Sequence, residues 1–195
     1  MKYLLLNGGG MDSLAVARMM REYHPNDFIQ SLTICTGLPN EPRLRPAAEA
    51  ISAKYCDLHD EVHLTHGTGV KAELGMPLVG HLFGVPFYCL LMLSIGMSYG
   101  MRRGFDVVVS GMKTDTADAK YLPAFQQVLN SSVPTMGATS KPPKLLTPLY
   151  GTDNNTVFQS IADDSLLNQT VSCNRATSCG ICGKCTLRFR LGVLV

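Results

Sequence analysis

The chain has 195 residues, of which 46% are hydrophobic and 16% charged, and a formal net charge of +2 at pH 7. That length suits one domain with a sizeable core, and so small a charge argues against the broad basic surface of a nucleic-acid groove. The apolar start Met1–Leu6 ends at Asn7 and three glycines, far short of a secretory core, so the seven cysteines are expected in a reducing, cytoplasmic setting, where metal ligation is favoured over disulfides.

Lys2–Leu6 reads as a buried parallel strand running into the glycines. Ser13–Tyr23 follows with Leu14, Val16, Ala17 and Met20 at helical spacing, and Pro25 closes it. Phe28–Cys35 is a second strand, and Gly37, Pro39, Pro42 and Pro46 mark a loop before a helix over Ala47–Tyr55. Glu61–Leu64 is a brief third strand. The segment from Leu74 to Met101 has no Asp, Glu, Lys or Arg, but Pro77, Pro86 and several glycines break it. Its dense apolar part, Pro86–Ile95, falls short of the ~20 residues a bilayer requires, so a buried helix over Pro86–Arg103 is expected and no membrane span. Asp106–Ser110 is the fourth strand, and Ala117–Leu129 a helix interrupted by Pro123. Ser131–Pro143 is a loop, Leu145–Tyr150 the fifth strand and Thr156–Leu167 the last helix. Alternating strands and helices predict an α/β fold, a doubly wound parallel sheet of about five strands that binds ligands at the strands' carboxyl ends.

Two segments carry chemistry. In Asn7-Gly8-Gly9-Gly10-Met11-Asp12-Ser13 the glycines allow close backbone approach, and the following helix turns its free N–H groups and positive dipole end toward the turn. Ser13 adds a hydroxyl, and Asp12 suits a magnesium ion shared with phosphates. An anion cradle and a plain strand–helix turn capped by Asp12 both fit these residues. In the tail, Cys173, Cys179, Cys182 and Cys185 have the spacing of a closed tetrahedral site, which favours Zn²⁺. The same residue types hold iron–sulfur clusters, but the Cys-Pro ending of the ferredoxin run is absent, since Thr186 follows Cys185. Cys35, Cys56 and Cys89 read as inert core cysteines. His63 and His66 read as a solvent-facing pair, and His24, His59 and His81 indicate nothing specific.

Strand, Gly9-Gly10-Met11-Asp12-Ser13, helix resembles the ATP-pyrophosphatase (PP-loop) signature Ser-Gly-Gly-x-Asp-Ser, with Gly8 in place of its first serine. Together with Ser172-Cys173, Cys179-Gly180, Cys182, Cys185 and Leu187-Arg188, the chain resembles the 7-cyano-7-deazaguanine synthase family, QueC, along nearly its whole length. Ser110-Gly111-x-x-x-Asp115 and Thr147-Pro148-Leu149 belong to the same likeness. The resemblance implies one domain over 1–195 with 168–195 as its zinc-binding end, ATP and Mg²⁺ at Asn7 to Ser13, and Zn²⁺ at the four cysteines. It implies an ATP-dependent ligase that activates 7-carboxy-7-deazaguanine and adds ammonia to give a nitrile in queuosine biosynthesis. Asp12 and Ser13 are then the candidate catalytic residues of the loop. Lys113 and Asp115, just past the fourth strand, are candidates for phosphate, magnesium or substrate contacts. A homodimer is compatible with the apolar surface of the Pro86–Met101 helix.

The chain departs from the family where substrate is held. Thr36-Gly37-Leu38-Pro39-Asn40-Glu41 stands where Tyr-Gly-Gln-Arg-His is usual, and Phe83–Tyr88 where Pro-Gly-Arg-Asn is usual. Lys120–Phe125 replaces a Tyr-Pro-Asp-Cys-Arg segment, and no lysine occurs in Gly151–Asn155. These changes leave open another carboxylate substrate, another adenylating reaction such as tRNA thiolation, or a nucleotide-binding pseudoenzyme.

Overall fold

A computed structural model describes residues 1–36, 40–64, 88–113, 119–132, 142–173 and 177–193. Of the sequence expectations, Asp115, His66, His81 and the segment 74–87 lie outside the described residues. The elements are β1 (Lys2–Leu6), α1 (Met11–Tyr23), β2 (Phe28–Cys35), α2 (Glu41–Tyr55), β3 (Leu58–His63), α3 (Tyr88–Arg103) and β4 (Val107–Ser110). A short 3-10 turn, Ala119–Tyr121, leads into α4 (Leu122–Ser132), followed by β5 (Lys144–Leu146), α5 (Asn154–Gln159) and α6 (Gly183–Arg190). The five strands form one parallel sheet in the order β3-β2-β1-β4-β5. The chain winds outward from β1 to β3, then returns to pair β4 on the other side of β1. That reversal opens a crevice at the carboxyl ends of β1 and β4.

Alternation along the strands sorts the core into two layers. Tyr3, Leu5, Ile29, Val107 and Val109 pack against α1, α2 and α5 through Leu14, Val16, Ile51 and Val157. Leu4, Leu32 and Val108 face α3 through Met97. Helix α3 lies close to the sheet because Gly96 and Gly100 lack side chains. A Cβ on Gly96 would come within 2.6 Å of Leu6 Cδ2, and one on Gly100 within 2.9 Å of Val108 Cγ2. Among the described residues no helix is long and apolar enough to cross a membrane.

Helices α2, α4 and α5 differ most from the expected bounds. Helix α2 starts at Glu41, six residues before the expected Ala47, with Pro42 in its first turn and Pro46 inside it. A first-turn proline loses no helical hydrogen bond, and the buried face of Ala47, Ala48 and Ile51 outweighs the bond lost at Pro46. Pro123 is likewise the second residue of α4 and begins that helix rather than interrupting it. The last expected helix is shortened to α5, whose N-cap Asp153 accepts from the N–H groups of Asn155 and Thr156 at 2.8 and 2.9 Å. The chain then turns through residues 160–166.

Asp164 pins that turn to α2. Its fully buried carboxylate accepts from Lys54 Nζ at 2.8 Å, from the Leu166 N–H at 2.9 Å and from the Tyr55 hydroxyl. Burial raises the Asp164 pKa, but these donors outweigh it and hold the group below the ordinary carboxylate range. A depressed folded pKa gives stability that is present above the unfolded value of ~3.9 and lost as pH falls from there toward the folded value. Asp164→Asn is therefore expected to cost ~2 kcal/mol near neutral pH, discounted because Lys54 is partly exposed. Urea midpoints should show the gap from wild type closing below about pH 4; a gap constant with pH would contradict the assignment.

Candidate active site and metal centre

The crevice holds a cavity of ≈ 340 Å³ bounded by Leu6, Ile34 and Ser110 at the strand ends and by Gly8, Asp12 and Ser13 of the glycine turn. The turn is built from the inside. Asn7 is buried, and its Nδ2 donates to the Ala48 carbonyl at 2.8 Å while its Oδ1 accepts from the Gly9 N–H at 3.0 Å. Its amide therefore braces the turn against α2. Gly9 has φ +66°, and a Cβ there would meet the Leu44 carbonyl oxygen at 2.6 Å. Only glycine fits.

Helix α1 begins at Met11 with Gly10 as its cap and no side-chain cap bond. Asp12 is therefore not the cap; it sits in the first turn with its side chain 45% exposed. The first intrahelical bond is Leu14 N–H to Gly10 O, so the N–H groups before it have no acceptor within the helix. Ser13 Oγ accepts from the Gly8 N–H at 2.9 Å and still carries a proton to donate. Met11 buries its side chain in the core, so it can offer the cavity only its main chain.

Lys113 comes from the segment after β4, and its side chain is only 8% exposed. Its Nζ lies 3.2 Å from Asp12 Oδ1 and donates to Asn154 Oδ1 at the start of α5. The ammonium thus joins the turn to α5 at the sheet's switch point. Thr36, Asn40 and Glu41, from the segment expected to face substrate, line the cavity, whereas the sequence assigns Asn154 no role. Cys89 lines the cavity and also packs against the apolar cluster of Leu90, Leu93 and Met112. Burial pushes the Cys56 thiol up to about 11, in keeping with an inert group. His24 pairs with Asp27, and the His63 ring lies beside Glu61.

The four tail cysteines converge as their spacing implied. Their sulfurs all lie within 4.8 Å of one another, with Cys173–Cys179 at 3.8 Å, Cys179–Cys185 at 3.9 Å and Cys173–Cys182 at 4.0 Å. Zn–S bonds of ~2.3 Å arranged tetrahedrally set sulfurs about 3.8 Å apart. The donor set fits one ion, whereas a cubane cluster places each thiolate on a separate iron and spreads them wider. Main-chain N–H groups of Ile181 and Cys182 draw the Cys179 thiol down to about 6, and burial pushes Cys185 up to about 11. The Arg188 guanidinium, 3% exposed, donates to Thr170 Oγ1 at 2.6 Å, and Arg43 Nη2 donates to Ser178 Oγ at 2.7 Å. Four thiolates on a divalent ion would carry two net negative charges, and both arginines line a small cavity with Cys173 and Cys185, where Arg188 interacts electrostatically with the Cys185 sulfur.

The centre is also joined to the turn. Val171 N–H donates to the Gly9 carbonyl at 2.8 Å, and Asn40 Nδ2 donates to the Cys173 carbonyl at 3.2 Å. Helix α6, absent from the sequence expectation, presents Cys185 and Arg188 from one short element.

Residues 79–191 match the family described as queuosine biosynthesis protein QueC. The chain belongs to the QueC family. No curated protein matches it in sequence. Among solved structures, the U34-tRNA thiolase NcsA from Methanococcus maripaludis, determined with its [4Fe-4S] cluster, is similar at a TM-score of 0.58 and 17% identity. That match covers 97% of this chain but only 63% of the thiolase. A predicted subunit of tRNA methyltransferase from Methanocaldococcus jannaschii is similar at a TM-score of 0.53 and 14% identity, over 83% of this chain and 76% of the other. Identities this low establish a shared fold and nothing more.

Proposed function

We propose that this QueC family chain is a carbon–nitrogen ligase. It uses ATP to activate 7-carboxy-7-deazaguanine, or a closely related carboxylate, and adds ammonia to give the nitrile 7-cyano-7-deazaguanine. The observation that carries the reading is that Gly8, Asp12 and Ser13 of the glycine turn line one cavity at the sheet's switch point, with the buried Lys113 ammonium 3.2 Å from Asp12 Oδ1. The first-turn N–H groups of α1 and the Ser13 hydroxyl would hold the leaving pyrophosphate, and Lys113 would offset its charge. Asp12 would hold Mg²⁺, which spreads the phosphate charge.

In the first step a carboxylate oxygen of the acceptor attacks the α-phosphorus of ATP, and the bond to pyrophosphate breaks. Ammonia then attacks the activated carbonyl carbon and expels AMP, giving the amide. The amide oxygen then attacks the α-phosphorus of a second ATP with loss of pyrophosphate and one N–H proton, and the imidoyl adenylate loses AMP and the remaining N–H proton to leave the nitrile. In this reading zinc fills the four-cysteine centre and takes no part in chemistry. Residues 168–195 are then the metal-binding end of a single domain.

The test incubates the full chain with ATP, ammonia and 7-carboxy-7-deazaguanine and follows nitrile and AMP. Nitrile formation is the expected result, and Lys113→Ala should lower kcat/KM by about 10²–10³ with circular dichroism unchanged. A chain that binds ATP yet turns over none of a panel of carboxylates is not this ligase. A second reading, adenylation of a tRNA base, draws on the fold shared with a tRNA thiolase; tight, salt-sensitive tRNA binding would favour it, and the small net charge opposes it.

A further inference from the structure

We propose a second cation site, separate from the four-cysteine centre, formed by Cys35, Glu41 and His63 at the carboxyl edge of β2 and β3. Sequence reading set Cys35 aside as a core cysteine and His63 as a solvent-facing histidine. The fold brings them together: they are the last registered pair of the β2–β3 ladder, and Glu41 is the first residue of α2. One donor atom from each, a sulfur, a carboxylate oxygen and an imidazole nitrogen, lies within 4.8 Å of the other two.

The surroundings are those of a ligand set rather than an apolar core. Cys35 is 3% exposed and forms a buried floor, while the His63 side chain is 47% exposed and leaves a way in. The imidazole is oriented from behind, because its Nε2 lies 3.2 Å from Glu61 Oε2. Arg45 in turn clamps both oxygens of Glu61, at 2.9 and 2.7 Å. A carboxylate that fixes the ring of a ligating histidine in this way is a recurrent support of metal sites. Around the Cys35 sulfur stand Glu41 and Arg45 from α2 and Glu61 and His63 from β3. Two carboxylates against one guanidinium leave room for added positive charge.

The donor chemistry selects the ion. A thiolate with an imidazole and a carboxylate suits zinc and neighbouring first-row divalent ions, and disfavours magnesium or calcium. Binding exchanges the Cys35 thiol proton, released to water, for a metal–sulfur bond. Three protein donors leave a fourth position for water or an anionic oxygen. Glu41 also lines the ≈ 340 Å³ cavity, so the ion would stand in the cavity wall.

The test compares metal capacity between the full wild-type chain and variants. Each is loaded with Zn²⁺ alone, desalted and counted by mass spectrometry, then titrated with Co²⁺ alone while thiolate-to-cobalt absorption is followed. Wild type should hold one equivalent more than Cys35→Ser and one more than His63→Gln, whatever the tail centre carries. Glu61→Gln should keep that equivalent but bind it about 10- to 100-fold more weakly. Equal capacity in wild type and both variants overturns the site. Should buried Cys35→Ser fail to fold, His63→Gln, half exposed on an edge strand, decides the matter alone.

Discussion

A Gly9→Ala chain is expected to lose ATP binding beyond calorimetric detection and to unfold at a lower urea concentration. Two effects add at this one atom. The turn holds Gly9 at φ +66°, a conformation that costs an L-residue with a Cβ ~1–2 kcal/mol. The new Cβ would also press to 2.6 Å from the Leu44 carbonyl oxygen and 3.3 Å from Ala47 Cβ and Ala48 N. Those are backbone and short side-chain atoms of α2, which cannot yield without moving the helix, so overpacking adds ~1–3 kcal/mol. The same shift would pull Ala48 from the Asn7 amide that braces the turn. The measurements are a urea midpoint and an ATP titration. Undiminished affinity in the variant would mean that the nucleotide does not use this turn.

The second large effect is expected from emptying the cysteine centre. Cys182→Ser, or a strong chelator on the wild-type chain, removes one of four sulfurs or the ion itself. Metal binding by such sites is worth ~10 kcal/mol or more in isolated zinc-finger peptides, where it supplies nearly all the folding energy. Here the sheet has its own two-layer core, so the tail should come apart while the sheet persists. The loss should nevertheless reach the nucleotide. Once the tail is free, the Val171 N–H no longer holds the Gly9 carbonyl, and Asn40 loses the Cys173 carbonyl. Each lost bond is worth ~1 kcal/mol, so ATP should bind roughly 10-fold more weakly in the metal-free chain. Metal content, thermal melting and ATP affinity measured on the same sample check this. If the melting temperature falls while ATP affinity stays put, the tail and the turn are not coupled.

The legible parts of this protein share one property. β1 was readable at both ends because it is a short apolar run that stops at Asn7 and the glycines, and β2, although it carries Gln30, Ser31 and Thr33, because it lies between Pro25 and the Gly37–Pro39 breakers. The glycine turn and the four cysteines were readable because the residues that cooperate are neighbours in the chain. Prolines misled at α2 and α4, since their effect depends on position within the helix and not on their presence. Helix α6 is not legible in the sequence, because its eight residues are too few to show an apolar period beside the cysteine spacing.

What the sequence by itself determined was the α/β alternation, the glycine turn and the four-cysteine donor set, all of them set by local spacing and side-chain chemistry. What only the tertiary structure decided was the company those residues keep. Lys113 reaches Asp12 and Asn154 across 101 and 41 positions of chain, Val171 clasps Gly9, and Cys35 meets Glu41 and His63. Each of these meetings depends on the strand order β3-β2-β1-β4-β5. That order is chosen by how two apolar layers close over the sheet, a property of the whole chain that no short stretch of residues contains.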